Sequence, residues 1–257
     1  MQELSIIHPF GAPVYYCDMV GSTMDESRRL AEQGAPHGTV LLADFQSSGR
    51  GRGARLWQAE RGKNLFFTVL LRYPDYAAIH PALTLRTGLA VALAIVDFAP
   101  ALAPILRVKW PNDIMLGSKK AVGIITEAVG TNVYIGVGVN VAQSSFPPAL
   151  AGKATSIVLA LGNPELAIDR FSLLEVILGR LFEEISEPVG DWRERLSALL
   201  YMSGERVRFL AGAADVGAEV FGQIAGVGCN GELLILPDGA SEPIPFITGE
   251  LDVYGVT

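Results

Sequence analysis

Cysteine and histidine are both scarce in this 257-residue chain. The two cysteines, Cys17 and Cys229, stand near opposite ends of the sequence and in no paired spacing, so we expect free or buried thiols rather than a metal or redox site. That usage fits a reducing cytoplasm. The three histidines, His8, His37 and His80, lie in unrelated contexts and do not predict a metal site.

The chain also lacks an uninterrupted apolar run long enough to cross a membrane. In the longest candidate, Gly88 to Val108, an acid and two prolines (Asp97, Pro100, Pro104) interrupt a span that would need about 20 apolar residues. This stretch predicts a core helix followed by a loop and a strand. The N-terminal MQELSIIHPFGAPVYY has no cationic start before an apolar core, so we expect neither a secretory signal nor a membrane partner.

An excess of basic residues is absent too. The 27 acidic and 20 basic residues give a formal net charge of -7, which repels phosphate backbones, so we expect no DNA-binding role. The chain has no P-loop and no G-x-S-x-G elbow, and GVGVN lacks the third glycine of a dinucleotide fingerprint. Half of the residues are hydrophobic, and the length suits one large domain, or one large and one small domain.

Hydrophobic periodicity predicts helices interleaved with strands in residues 1–202. We expect helices at Met24–Glu32 and Leu83–Phe98, one or two helices between Asn163 and Leu200, and buried strands at GTVLLADFQ and NLFFTVLLRY. The segments RVKW, DIMLG, AVGIITEAV and VYIGVGVNV predict an antiparallel meander. Ser22 or Thr23 is expected to cap the first helix.

After about Ser203 the pattern changes to short strands, RVRFL, EVFGQIAGV, ELLILP and EPIPFITGEL. Turns at Asn230-Gly231 and Asp238-Gly239 separate them. We therefore predict two domains, residues 1–202 and residues 203–257, of which the second is a small β-barrel.

The most unusual segment is QSSGRGRGARLW, which runs from Gln46 to Trp57. Between Gln46 and Lys63 there are five basic residues and one acid, Glu60. Alternating glycines let the backbone close on a ligand, guanidinium groups suit a carboxylate or phosphate, and Trp57 offers a flat surface for a ring such as adenine. A solvated basic loop with weak RNA affinity is the alternative that this segment leaves open.

Three shorter motifs are ambiguous when each is taken alone. KWPNDIMLGSKK (Lys109–Lys120) places an aromatic ring, a proline and polar side chains at a strand end, although its lysine pair also suits a solvated turn. The hydroxyls of Gly21-Ser22-Thr23 suit a helix cap as well as a ligand. Asn140 ends an apolar strand, where it can also satisfy backbone groups.

Taken together and in this order, the segments resemble the biotin–protein ligase family (biotin–[acetyl-CoA-carboxylase] ligases). The similarity runs from about Val14 to Leu251 and rests on GSTMDES, ADFQSSGRGRGARLW, NLFFTVLL, VKWPNDIML, KKAVGIITEA, YIGVGVNV and GELLIL…ITGEL. It implies an α+β, class II synthetase-like catalytic domain with a mixed, mostly antiparallel sheet, followed by an SH3-like β-barrel. It also implies a Mg²⁺- and ATP-dependent enzyme that forms biotinyl-5′-AMP and then biotinylates a lysine of a biotin carboxyl carrier protein.

The resemblance also implies roles for individual residues. Arg52 and Lys120 are the implied catalytic cations. The implied biotin-binding residues are Ser22, Thr23, Met24, Gln46, Arg50, Gly51, Arg52, Lys120 and Gly123. The implied ATP-binding residues are Arg52, Arg55, Trp57, Asn112, Lys120 and Asn140. Supporting roles are implied for Lys109, Asp113 and Glu250, and no metal ligand is indicated.

Two departures from the family pattern bear on affinity and on retention of the intermediate. Met24 stands where many relatives have asparagine, and Gly53-Ala54-Arg55 stands where many read RGR.

The alternatives to a biotin–protein ligase are a lipoate or octanoate ligase or transferase of the same fold, and a biotin-sensing repressor. The transferases use a cysteine that neither Cys17 nor Cys229 is expected to supply. The repressor alternative needs a winged helix before the Ser-Thr motif. Because that motif begins at Ser22, we expect no room for such a domain. By analogy with the family, the sequence leaves open both a homodimer through the exposed edge of the meander and a monomer.

Overall fold

The computed structural model describes residues 1–52, 57, 59–186, 190–212 and 217–252. In chain order its elements are β1 (Gln2–Leu4), β2 (Val14–Cys17), α1 (Thr23–Glu32), β3 (Val40–Ala43), β4 (Leu65–Arg72), α2 (Leu83–Phe98), β5 (Leu106–Lys109), β6 (Asp113–Leu116), β7 (Lys119–Val129), β8 (Asn132–Val139), α3 (Pro148–Ala151), α4 (Ile157–Ala160), α5 (Arg170–Ser186), α6 (Trp192–Ser197), β9 (Arg206–Ala211), β10 (Ala218–Val227), β11 (Leu233–Pro237), β12 (Ile244–Phe246) and β13 (Gly249–Asp252). Every helix in these ranges is too short or too polar to cross a lipid bilayer.

The larger sheet has the strand order β1-β2-β3-β4-β8-β7-β6-β5. Its neighbouring strands run antiparallel except for β2 and β3, which are parallel. The predicted meander is β5 to β8, and the predicted mixed, mostly antiparallel α+β fold is confirmed. Strands β1 and β2 were not predicted from the sequence.

The position of β4, with helices packed on both faces of the sheet, explains why its sequence is almost continuously apolar. Successive side chains of a strand point to opposite faces. Leu70 packs with Met24 and Ala31 of α1, whereas Val69 and Leu71 belong to the main core that α2 and α5 cover. Because helices cover both faces, both sets of side chains are buried.

The start of α1 differs from the sequence-based expectation in one respect. Ser22 is the N-cap residue, but its side chain makes no capping hydrogen bond, and Thr23 is already the first helical residue. The predicted hydroxyl cap is therefore wrong. Asp25 and Glu26 in the first turn still complement the positive end of the helix dipole. Ser22 and Thr23 are both buried at this end of the helix.

The strands after Ser203 form a five-stranded antiparallel sheet in the order β12-β11-β10-β9-β13. The segment EPIPFITGEL, predicted as one strand, contains two, β12 and β13, because each pairs with a different neighbour. This sheet packs on the rest of the chain. Trp110 Nε1 donates a hydrogen bond to Gly231 O at 2.9 Å, and the Trp110 ring lies 5.9 Å from that of Phe209.

Candidate active site

Motifs that are far apart in the sequence meet at a cavity that is partly open to solvent. It is bounded by the start of α1, residues 46–52 with Trp57, and strands β4, β7 and β8. The lining residues are Ser22, Thr23, Met24, Gln46, Arg50, Gly51, Arg52, Trp57, Phe66, Asn112, Lys120, Gly123, Ile124, Ile125, Gly136, Val137 and Gly138. All nine residues assigned to biotin by the sequence motifs are in this set.

Two paired glycines make a flat surface on which the Trp57 indole lies. Gly123 of β7 and Gly138 of β8 are partners in the sheet. A Cβ added at Gly123 would lie 2.5 Å from Trp57 Cζ3, and one at Gly138 would lie 3.2 Å from the same ring. The indole edge also packs against Phe66, with ring centres 6.5 Å apart. Side chains at either glycine would therefore displace the aromatic surface from the cavity.

Cationic groups reach the cavity from two separate segments. Lys120 Nζ lies 5.4 Å from the centre of the Trp57 ring and 2.6 Å from Asp113 Oδ1. Arg52 lines the same cavity and donates hydrogen bonds to Gly249 O at 3.1 Å and to Thr248 Oγ1 at 3.2 Å. The ammonium and the guanidinium group thus border one space, in which a carboxylate and a phosphate can meet.

Arg50 has a different neighbourhood from Arg52. Its guanidinium group donates to both carboxylate oxygens of Asp25, at 2.6 and 3.2 Å. The hydrogen bond to that carboxylate raises the pKa of Arg50 above its usual value. Asp25 also accepts from Arg28, which in turn pairs with Glu127. Arg50 therefore attaches the start of the Gly-Arg segment to α1, and much of its charge is already balanced.

The polar end of the cavity is built from α1 and Gln46. Gln46 Oε1 accepts hydrogen bonds from the backbone N–H of Thr23 at 2.8 Å and from Thr23 Oγ1 at 3.1 Å. Ser22 is 2% exposed, lines the cavity and makes no capping bond. Hydroxyl and amide groups of this kind suit a small, uncharged polar head group of a ligand.

Comparison with known proteins identifies the family to which this chain belongs. The model of the Biotin/lipoate A/B protein ligase family matches residues 16–140. The chain is 30% identical over 241 residues to the biotin--[acetyl-CoA-carboxylase] ligase of Paracoccus denitrificans, covering 87% of this chain and 94% of that protein. This chain belongs to the biotin–protein ligase family. The resemblance inferred from the sequence motifs is therefore confirmed.

Other members of the biotin–protein ligase family extend the comparison. The biotin protein ligase of Aquifex aeolicus, solved in complex with biotin and ATP, superimposes with a TM-score of 0.77 at 26% identity, over 93% of this chain and 97% of that one. The bifunctional ligase/repressor BirA of Bacillus subtilis is 37% identical over 175 residues, 65% of this chain and 52% of that protein. The chain thus spans about half the length of such ligase/repressor relatives.

Not every residue assigned from the family pattern lines the cavity. Asn140 is buried outside the lining set, where its Nδ2 donates to Thr155 O at 3.0 Å, so its role in binding ATP stays a prediction. Asn112 lines the cavity and donates to Ile124 O at 3.0 Å. Arg55 and the Gly53-Ala54 variation lie outside the described residues.

Lys109 and Glu250, predicted to support the site, are not among the lining residues, whereas Asp113 contacts the cavity lysine directly. Several lining residues were not predicted. They lie on strands β4, β7 and β8 and are Phe66, Ile124, Ile125, Gly136, Val137 and Gly138. The alternating glycines of YIGVGVNV were the signal that could have identified the floor of the cavity.

Proposed function

We propose that this chain is a biotin–protein ligase. It forms biotinyl-5′-AMP from biotin and ATP, and then transfers the biotinyl group to a specific lysine of a biotin carboxyl carrier protein. The observation that carries the proposal is that Arg52 and Lys120, from separate segments, line one cavity with a polar end at Ser22, Thr23 and Gln46. The ureido group of biotin fits the polar end. The carboxylate at the other end of the biotin molecule then points toward the two cations.

The first chemical step brings two anions together. A carboxylate oxygen of biotin attacks the α-phosphorus of ATP, a new O–P bond forms, and the bond to pyrophosphate breaks. At ~4 Å and an effective dielectric constant near 20, each pair of unit negative charges repels by about 4 kcal/mol. Arg52 and Lys120 offset this repulsion, so catalysis rests on positioning and fixed charge rather than on a covalent enzyme intermediate.

Magnesium is the metal that we propose for this step. Among the described residues no group of three or more histidine, cysteine or acidic side chains gathers into a metal site. Mg²⁺ commonly needs only one or two protein carboxylates when it is bound to substrate phosphates, and Asp113 beside Lys120 fits that demand. The ion would supply positive charge to the phosphate oxygens.

In the second step, the ε-amine of a carrier lysine attacks the acyl carbon of biotinyl-AMP. The C–N bond forms, AMP leaves, and the amine loses a proton. Before the carrier arrives, the mixed anhydride must be kept from water. Arg52 suits this task because its side chain joins the Gly-Arg segment to Thr248 and Gly249 beyond the cavity.

The lipoate or octanoate alternative has less support. The relatives named above are biotin ligases, and neither Cys17 nor Cys229, both of them described, lines the cavity. For the repressor alternative, binding to DNA would be salt-sensitive and would work against the net charge of -7. A gel-shift titration with DNA in low salt tests that alternative directly.

The test of the proposed function is a labelling reaction. The chain is mixed with biotin, MgATP and a biotin-carrier domain, and the carrier is weighed by mass spectrometry. We expect one biotinyl group per carrier, and none on a carrier whose target lysine is replaced by arginine. An unmodified carrier, or modification with lipoate in preference to biotin, would overturn the proposal.

We further propose that residues 203–257 form an SH3-like domain attached to a class II synthetase-like catalytic domain, residues 1–202. The antiparallel order of β9 to β13, all after Ser203, supports this division.

A cytoplasmic location and a homodimer are also proposals. At the β5 edge, Val108 already exchanges backbone hydrogen bonds with Leu199 and Tyr201, so a dimer there would use the rest of that strand. Size-exclusion chromatography with light scattering tests it.

A further inference from the structure

Thr68 is a buried hydroxyl in a strand whose other side chains are almost all apolar. It lies in β4, LFFTVLLR, and is 0% exposed. Burying a hydroxyl without a hydrogen-bond partner is costly, so its partner is informative. Thr68 Oγ1 lies 2.9 Å from Thr23 Oγ1. Thr68 itself does not line the cavity, but Thr23 does.

The direction of the hydrogen bonds in this chain of side chains is fixed by a backbone group. The N–H of Thr23 can only donate, and it donates to the side chain of Gln46 at 2.8 Å. The Gln46 atom at that position must therefore be the amide oxygen. The same oxygen lies 3.1 Å from Thr23 Oγ1, so the Thr23 hydroxyl must donate as well. A hydroxyl has a single hydrogen, and consequently Thr68 is the donor to Thr23.

This assignment defines what the polar end of the cavity offers to a ligand. The Thr23 oxygen has two lone pairs; Thr68 occupies one, and the other is left to accept a hydrogen bond. The oxygen of Gln46 is held by Thr23, so its NH₂ group is the part left to donate. An acceptor and a donor side by side complement the adjacent N–H and C=O of a urea or a cis-amide edge.

We propose that Thr68 is a positioning residue for the urea edge of the substrate. It acts through Thr23: by donating to the Thr23 hydroxyl, it holds that oxygen where one lone pair meets a ligand N–H beside the Gln46 amide. This inference rests on the proposed function and deepens it, since it identifies a residue outside the cavity that determines recognition of the ureido group.

The test compares three variants with the wild type by biotin-dependent exchange between pyrophosphate and ATP, measuring KM for biotin and kcat. Thr68→Val keeps the shape and removes the donor. We expect KM for biotin to rise by about 3- to 10-fold, the size of one lost hydrogen bond, with kcat nearly unchanged. Thr68→Ser, which restores a donor, should recover most of the loss. Thr126→Val is the matched control, because its buried Oγ1 has no partner in the described part of the chain and does not line the cavity.

A double-mutant cycle separates action through Thr23 from a general loss of packing. If Thr68 acts through Thr23, then Thr68→Val adds no further increase in KM when Thr23 is already valine. An unchanged KM in Thr68→Val, or equal penalties with and without the Thr23 hydroxyl, would overturn the inference while leaving the ligase function intact. A wild-type chain without biotin-dependent exchange would overturn the proposed function and the inference with it.

Discussion

Lys120 Nζ and Asp113 Oδ1 lie 2.6 Å apart across the hairpin formed by β6 and β7. The register of that hairpin shifts between Ile114 and Met115, the residue opposite Lys120. Such irregularities re-aim side chains near functional sites. The shift and the carboxylate together hold the ammonium group at the cavity, beside Trp57. Because the lysine side chain is only one-third exposed, its charge acts in a partly desolvated space.

Replacement of Lys120 should therefore impair the adenylation chemistry more than it impairs the binding of biotin. For Lys120→Ala we expect the rate of biotin-dependent pyrophosphate exchange to fall by about 10²- to 10³-fold, as for the loss of other groups that stabilise a transition-state charge. Biotin affinity, measured by calorimetry, should change much less. Lys119→Ala is the matched control, since Lys119 is exposed and outside the cavity. Exchange at the wild-type rate in Lys120→Ala would contradict the role.

Loss of Arg52 should release the intermediate. Arg52→Gly removes a cavity cation and both of its hydrogen bonds to the C-terminal sheet. We expect biotinyl-AMP to dissociate about 10- to 100-fold faster, corresponding to the loss of charge-assisted hydrogen bonds, and to label lysines of bystander proteins. Thr248→Val removes one of the two bonds and should show a smaller effect. Retention of biotinyl-AMP by Arg52→Gly for as long as wild type would refute the proposed shielding.

The glycine floor of the cavity provides a graded steric test. A Cβ at Gly123 would lie 2.5 Å from the Trp57 ring and 3.1 Å from Lys120 Nζ, whereas one at Gly138 would lie 3.2 Å from the ring. Gly123→Ala should lower kcat/KM for exchange by about 10-fold or more, given the usual cost of overpacking. Gly138→Ala should be milder, because the indole has only to move slightly. The reverse order of the two effects would mean that the indole does not lie on this floor.

Elements with a long, regular pattern were predictable from the sequence. The bounds of α2, Leu83–Phe98, agree with the prediction, because sixteen residues give enough helical periods to identify both ends. The strands β1 and β2 were missed, since three or four residues carry little periodicity and β2 pairs in parallel with a distant strand. Pairing of that kind depends on the tertiary fold rather than on the local sequence.

The site divides in the same way. Residues in compact motifs, such as Ser22 and Arg52, were found from the sequence and do line the cavity. Gly136 and Phe66 were not, because the face that a strand residue occupies depends on register across the sheet. Thr68 gave no signal at all, since threonine is an ordinary residue in a strand and its partner is distant in sequence.

The stability of the helical layer should depend on one buried carboxylate. Glu184 of α5 is 2% exposed and lies between two arginines, accepting from Arg86 Nε at 3.1 Å and from Arg195 at 2.6 Å. Arg86 is itself buried in α2, and Arg195 belongs to α6, so the carboxylate joins three helices. Removing one partner of a buried ion pair leaves an uncompensated charge, which typically costs about 3–5 kcal/mol.

Glu184→Gln should therefore lower the free energy of unfolding by about 3 kcal/mol, because the amide keeps the shape but cannot balance the Arg86 guanidinium group. At about 2–4 °C per kcal/mol for a chain of this size, the melting temperature should fall by roughly 6–12 °C. The adjacent Glu183→Gln is the matched control, since the Glu183 side chain is 51% exposed and its pair with Arg180 lies at the surface. Urea and thermal unfolding measure both variants. We expect stability to drop in Glu184→Gln alone, with kcat and KM for biotin unchanged below the melting temperature, because this residue acts only on the fold. Equal stabilities of the two variants would mean that Glu184 is dispensable for joining the helices.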